Sequence, residues 1–350
     1  MNVNNFDIAR YFFGINAKSD HSGGPLYWSP TSIGRNFGAE RLADAIFDSV
    51  DLNLTYSSKF SGFTMYVKFN RRYVVELVNR LARFNPSTII FNVAGGDELL
   101  FFEAVCSMFD IPGVALLHNV DGYFQRVVAE TLNISPSRAA IAYSEALENV
   151  VVGRQQVQFG RSDFVFGNFQ TRTMTRSSLA GPVLGVGRFN TTTKRTQLTI
   201  DVSEKHDVQL VGRVERSHDL LVPPDVDFVE YVADVAPYFA RARVLAIPSL
   251  VESFPNVVLE AWAAGVPVVG VADCPAMCGL IDDGVDGFLA PTAAEFASTV
   301  DRVYRLPTAK LREVAESASI KAKNYTADVV LRSFKEVVNR VTNNHGHPRR

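Results

Sequence analysis

Apolar residues along this chain gather into short runs that stop at turn residues, and stretches with helical spacing fill the gaps between them. The runs at residues 88–93 (TIIFNV), 113–117 (GVALL) and 138–143 (RAAIAY) are separated by helical patterns over 97–109 and 122–132. Strands alternating with helices in this way predict a parallel, doubly wound α/β sheet. Residues 7–15 read as a first strand and 52–56 as another, with 16–36 a long connection leading to a helix near Phe37. The alternation resumes later, where residues 182–189 (PVLGVGRF), 208–212 (VQLVG), 227–231 (DFVEY) and 244–247 (VLAI) each read as a strand. Periodicity weakens across 150–180, and the polar stretch QTRTMTRSS at 170–178 marks a boundary. Two domains follow from this, 1–170 and 171–325, with a last amphipathic helix and tail in 326–350.

The stretch 244–267, VLAIPSLVESFPNVVLEAWAAGVP, concentrates the candidate chemistry. Its apolar run is stopped by Pro248 and Ser249 and opens onto Glu252. Asn256 reads as the N-cap of a helix from Val257 to Ala264, with Gly265 beyond its end and Pro267 soon after. The free N–H groups and positive dipole of a helix start attract phosphate. Glu252 and Glu260 would repel that anion, so they need another reason to be there. Accepting hydrogen bonds from hydroxyls is one, with Glu252 suited to a sugar and Glu260 to a ribose. The plainer reading makes Glu260 an exposed helix residue and Glu252 a partner of the helix dipole.

Residues 252–269, ESFPNVVLEAWAAGVPVV, resemble the E-x7-E signature of the retaining GT-B glycosyltransferases of the large GT4 family. Residues 273–291 (DCPAMCGLIDDGVDGFLAP) continue that family's pattern, and the similarity is clearest from 208 to 291. The resemblance implies two Rossmann-like, doubly wound domains facing across a cleft, with a C-terminal helix crossing back to the first. It implies transfer of a sugar from a nucleotide-sugar donor held by the second domain to an acceptor held by the first, with retention at the anomeric carbon and no metal or other cofactor. Glu252 would position the sugar, and Ser253, Phe254, Asn256, Val257 and Glu260 would line the donor. Gly187, Arg188 and Lys194 resemble the family's G-R…K-G element, whose cations hold the diphosphate, although Arg195 stands where glycine is usual. Fixed cations there lower the barrier to a leaving diphosphate. Tyr231 and Val232 follow the strand after which the family holds the base. His118 resembles a cleft histidine after a middle strand. GAER at 38–41 resembles the family's G-G-A-E-R helix start with Phe37 in place of the first glycine, which makes Gly38, together with Gly23 and Gly24 or Gly34, a loop approaching the donor.

Simpler accounts stand beside several of these. His118 also suits a strand-end cap, Arg188 and Lys194 suit solvated surface charges, and 16–36 suits a surface loop with turn glycines. Two other functions fit a GT-B scaffold: an epimerase or hydrolase of the sugar nucleotide, and a non-catalytic protein that binds it.

Composition narrows the classes. The chain has 350 residues, 47% hydrophobic, enough for two cores. A net charge of −2 offers no global field for nucleic acid or a membrane. The helical pattern at 72–83 does carry a basic face, with Arg72, Arg80 and Arg83, and in family members that act on lipids such a helix touches the bilayer. A solvated outer face accounts for the same charges. Three cysteines, Cys106, Cys274 and Cys278, make no disulfide framework, and the Cys274…Cys278 spacing lacks two further ligands for zinc. A reducing cytoplasm is the expected setting. Asp225-Val226-Asp227 spells the D-x-D of a different transferase fold and reads as coincidence, since Asp227 enters a strand.

Overall fold

The computed structural model describes residues 172–344 except 216–219 and 253, and before them residues 15–16, 26–28, 55–57, 86–93, 111–117, 147–152, 164–166 and 169. The chain divides into two compact units, Met1–Phe166 with Leu331–Arg350, and Gly167–Val330.

The first unit holds a seven-stranded sheet made of β1 (Ile15–Asn16), β2 (Leu26–Trp28), β3 (Thr55–Ser57), β4 (Ile89–Val93), β5 (Gly113–Leu117), β6 (Leu147–Val152) and β7 (Phe164–Phe166). Their order is β1-β3-β2-β4-β5-β6-β7, parallel throughout except that β1 runs against β3. The runs at 88–93 and 113–117 become β4 and β5, with Ile89 opposite Gly113. The strand beside β5 is β6 rather than 138–143, which lies outside the described residues. Glu148 and Asn149 break the apolar run of β6, so it carries no continuous signal. Strand β2 falls inside the stretch expected to be a connection, and β7 inside the polar interval. Three residues are too few to show a period, and their place comes from pairing with neighbours. The Thr88 and Thr342 side-chain hydroxyls hydrogen-bond within this unit.

The second unit is a six-stranded, wholly parallel sheet of β8 (Val183–Phe189), β9 (Val208–Val214), β10 (Asp227–Glu230), β11 (Val244–Ala246), β12 (Val268–Val271) and β13 (Phe288–Ala290). Helices α1 (Thr196–Ile200), α2 (Ala236–Phe239), α3 (Asn256–Ala264), α4 (Pro275–Leu280), α5 (Phe296–Tyr304) and α6 (Thr308–Ala322) connect and follow them, and α7 (Ala327–Asn344) begins in this unit and belongs to the first from Leu331 on. Strand residues alternate between two cores. Val183, Val244, Ala246, Val269 and Val271 pack with Phe296, Val300 and Leu311 on one face. Leu184, Leu245, Ile247 and Val268 pack with Phe239, Val258, Leu259, Trp262 and Met277 on the other. Two-sided burial is why these strands read as unbroken apolar runs instead of alternating ones. Burying each such side chain contributes about 1.5–3 kcal/mol.

The strand order, β10-β9-β8-β11-β12-β13, reverses direction of growth between β8 and β11. Sheets wound this way bind ligands at that reversal, beyond the carboxyl ends of the strands. Close approach of β8 and β9 near those ends depends on Gly212, at φ 151°, where a β-carbon would overlap the carbonyl oxygen of Gly187. Among the described residues, no helix is long and apolar enough to cross a membrane.

Candidate functional site

The site is built from the loops that leave β8, β9, β11 and β12 at their carboxyl ends. Residues 190–195 follow β8, and the buried Asn190 shapes them. Its Oδ1 accepts from the Lys194 amide at 2.8 Å, and its Nδ2 donates to Thr193 Oγ1 at 3.1 Å and to Glu215 Oε2 at 2.9 Å. The Thr196 amide donates to the Asn190 carbonyl at 2.9 Å, closing the turn into α1. An asparagine with neighbouring threonines is a recognised turn former. That signal was present in N-T-T-T, and sequence reasoning passed over Asn190. Helix α1 is only five residues long and continues as a 3-10 turn over Asp201–Glu204.

The turn delivers Lys194 to the reversal point. Its Nζ donates to Glu252 Oε1 at 2.6 Å, joining the loop after β8 to the loop after β11. The pair is largely shielded from water, with the lysine side chain 26% and the glutamate 13% exposed. A second cation–acid link runs beside it, from Arg195 Nη2 to Asp273 Oδ2 at 2.8 Å, reaching the loop after β12. Arg188 is the outermost of the cations. Its Nη1 lies 3.5 Å from Glu215 Oε1, and the arginine is 65% exposed, so that ion pair contributes little to stability.

Helix α3 starts at Asn256, and its N-cap is Pro255, not Asn256 as the sequence led one to expect. Pro255 is itself extended, with φ −75° and ψ 96°, so helical geometry begins at Asn256. No side chain caps this end, and no acid lies in the first turn. Gly265 ends the helix in the left-handed conformation, φ 66°. Asn256 Oδ1 is buried without a hydrogen-bond partner among the described residues. Val257 and Phe254 are half-buried against the core, and the Phe254 ring packs on Tyr325 at 5.5 Å between centroids. Glu260, eight residues after Glu252, is 3% exposed and lies 3.7 Å from Arg172 Nη1. It is therefore neither an exposed helix residue nor a lone charge. Arg172 belongs to the polar interval before β8 and carried no sequence signal of its own.

Cys274 follows Asp273 as the N-cap of α4. Burial pushes its thiol pKa up and outweighs the Met277 amide, and nearby Glu252 raises it further, so the sulfur stays protonated. Both described cysteines, Cys274 and Cys278, are free. Beyond β10, Tyr231 is half-exposed with the Arg213 guanidinium 5.8 Å from its ring centroid, while Val232 packs on the core. Arg213 pairs in register with Arg188. Asp227 accepts a hydrogen bond from Gln209, its register partner on β9, a role within the sheet. His118, Gly23, Gly24, Gly34, Gly38 and Ser253, and the basic stretch 72–83, lie outside the described residues.

Residues 183–305 match the family model described as glycosyl transferases group 1. The fold superposes on Alr3699/HepE of Anabaena, solved in complex with UDP and glucose, with a TM-score of 0.70 over 91% of this chain and 100% of that one, at 18% identity. The chain has the GT-B fold, and its residues 183–305 are similar to the group 1 glycosyl transferases. Curated relatives align with parts of it. An exopolysaccharide phosphotransferase of Streptomyces coelicolor is 34% identical over 115 residues, 32% of this chain and 12% of the relative. A D-inositol 3-phosphate glycosyltransferase of Frankia alni is 35% identical over 111 residues, 30% of this chain and 27% of the relative. The aligned stretch thus spans well under half of either relative. In the group 1 domain, the matched residues include Lys194, Glu252, Glu260 and Asp273.

Proposed function

We propose that this GT-B chain transfers a sugar, with retention at the anomeric carbon, from a nucleotide-sugar donor held by its second unit to an acceptor held by its first. The observation that carries the reading is the Lys194–Glu252 pair, 2.6 Å apart at the reversal point of a mononucleotide-type sheet. A diphosphate needs cations and amides, and a sugar needs carboxylate acceptors. Both sets converge here. Lys194, Arg188 and the first amides of α3 at Asn256 and Val257 would steady the leaving diphosphate as negative charge develops on it. Glu252 would accept from sugar hydroxyls and offset the positive charge of an oxocarbenium-like transition state. Glu260, held by Arg172, would meet the ribose, and Tyr231 and Val232 the base. His118 would face the sugar or acceptor. Support from outside comes from HepE, whose complexes hold UDP with glucose and UDP-glucose. Donor chemistry of this kind calls for no metal, and the free Cys274 and Cys278 suit a reducing cytoplasm.

A thermal-shift panel of UDP-, GDP- and ADP-sugars on the full chain tests the reading, because a ligand that binds the folded state raises Tm. One donor should stand out, Lys194→Ala should weaken its shift, and Glu252→Gln should abolish transfer while leaving the donor's diphosphate recognised. Absence of any shift at concentrations far above ordinary donor affinities would refute it. Proton NMR of the first-formed product reports the anomeric configuration, and inversion would remove the retaining mechanism.

A further inference from the structure

We infer that Arg195 is a positioning residue, which rests on the sugar-nucleotide reading above: it locks the loop after β8 onto the loop after β12 and thereby holds Lys194 in place for the donor's diphosphate. Two features of Arg195 count against it on stability alone. Its backbone lies at φ 46°, ψ 41°, in the left-handed region where a β-carbon crowds the following carbonyl. Its Nη1 is buried and has no hydrogen-bond partner among the described residues. Glycine at 195 would remove both costs. A residue that keeps a strained backbone and an orphaned nitrogen at the ends of ligand-binding strands invites a functional reason.

The reason lies in what its guanidinium reaches. Lys194 and Arg195 are adjacent, yet their side chains go to different strand ends, Lys194 to Glu252 after β11 and Arg195 to Asp273 after β12. The arginine is largely buried, 16% exposed, and its planar fork fixes direction as well as distance. With the chain anchored at 195, the backbone at 194 cannot swing away, and Lys194 Nζ stays on the reversal point. The same bond has an electrostatic consequence. Asp273 is 40% exposed, and its charge would repel a diphosphate arriving beside α3 unless a cation neutralises it. Loosening the lysine and unmasking the aspartate would both weaken donor binding.

The test uses the full chain as wild type, Arg195→Gly, Asp273→Asn and the double variant, with UDP, GDP and ADP as probes in calorimetric titrations and with Tm read in their absence. Wild type should bind one nucleotide, and Arg195→Gly should weaken that affinity by about tenfold, the scale of one charge-assisted contact, without lowering Tm. In the Asp273→Asn background the same Arg195→Gly change should alter affinity by less than about twofold, since there is no link left to break. Arg195→Lys, which keeps the charge, should recover part of the loss. A fall in Tm with Arg195→Gly would mark a purely structural role and overturn the inference. An equal loss of affinity in both backgrounds would overturn it too, because Arg195 would then act on the ligand and not through Asp273. Undiminished nucleotide binding by Arg195→Gly overturns this inference alone, whereas failure of wild type to bind any of the three overturns the sugar-nucleotide reading and this inference with it.

Discussion

Arg243→Ala should destabilise the second unit by about 3 kcal/mol without touching the candidate site. Arg243 stands just before β11, at the end of the sheet away from the candidate site. Its guanidinium donates from Nε to the Tyr304 carbonyl at 2.7 Å, from Nη1 to the Leu179 carbonyl at 2.6 Å and from Nη2 to the Leu306 carbonyl at 2.7 Å. One side chain therefore ties the segment entering β8 to the end of α5 and the turn into α6. It also lies over the Tyr304 ring, 5.1 Å from its centroid. Hydrogen bonds from a charged donor contribute about 1.5–3 kcal/mol each, but these carbonyls are part-buried and water reaches some of them once the arginine is gone, which discounts the sum to about 3. Lysine has one ammonium and cannot reach three diverging carbonyls, so Arg243→Lys should still lose about 2 kcal/mol. The chain has two tryptophans, Trp28 in the first unit and the fully buried Trp262 in the second. Urea unfolding followed by fluorescence in a Trp28→Phe background reports on the second unit alone, which matters because a two-unit chain need not unfold in one step. With a slope of about 2 kcal/mol/M, the Arg243→Ala midpoint should fall by about 1.5 M. A fall of less than about 0.5 M, or an Arg243→Lys variant as stable as wild type, would refute the argument that the fork is what matters.

Gly212→Ala should cost about 3 kcal/mol or more in the same assay, since the new β-carbon meets the Gly187 carbonyl oxygen and φ is 151°. Gly284→Ala, at φ 75° with nothing within 4 Å, should cost only about 1 kcal/mol, and equal losses would show that backbone strain and not the clash is decisive. The hydrogen bond from His206 Nε2, at 2.7 Å, holds the Asp301 carboxyl below its usual range, with Arg305 and Lys205 adding to the effect against burial. A depressed folded-state pKa contributes stability that is complete above the unfolded value of about 3.9 and disappears as pH falls through the folded one. The Tm difference between wild type and Asp301→Asn should therefore be constant at neutral pH and shrink below about pH 4. Burial alone would lower the Lys321 pKa, but hydrogen bonds to Asp282 and Asp286, at 2.8 and 2.6 Å, raise it. Its contribution is complete below the unfolded value of about 10.4 and lost as pH rises through the folded one, so Lys321→Met should erase a stability loss seen by thermal scans in strong alkali.

Much of this second unit was legible in the sequence because its strands are buried on both faces. V-L-G-V-G, V-Q-L-V-G and V-L-A-I need apolar side chains at nearly every position, and such runs announce themselves. The first unit's β2, β6 and β7 did not, being three residues long or carrying Glu148 and Asn149 within the run. Within the site, Glu252, Glu260 and Lys194 stood out through the resemblance to the E-x7-E and G-R…K-G patterns. Their pairings did not. Arg195 and Asp273 are 78 residues apart and Lys194 and Glu252 are 58 apart, and Arg172 meets Glu260 from a stretch that looks like a linker. Pairing over such distances is decided by strand order, which no local pattern reports.

Strand order also explains the division of charge around the reversal point. Arg188, Lys194 and Arg195 all come from β8 or the loop that follows it, while Glu215, Glu252 and Asp273 come from the loops after β9, β11 and β12. The central strand supplies the cations, and the strands around it supply the acids. Each largely buried charge has an opposite charge beside it, which avoids the several kcal/mol penalty of a lone ion out of water. On the sugar-nucleotide reading, binding becomes an exchange of partners. Diphosphate oxygens replace a carboxylate at Lys194 and Arg188, and sugar hydroxyls replace the ammonium at Glu252. Glu252 then keeps hydrogen-bond donors but gives up its counter-ion, so affinity depends on how well the hydroxyls fit that carboxylate. Arg195 and Asp273 are the pair placed to stay together through it, because their bond anchors the turn that carries Lys194.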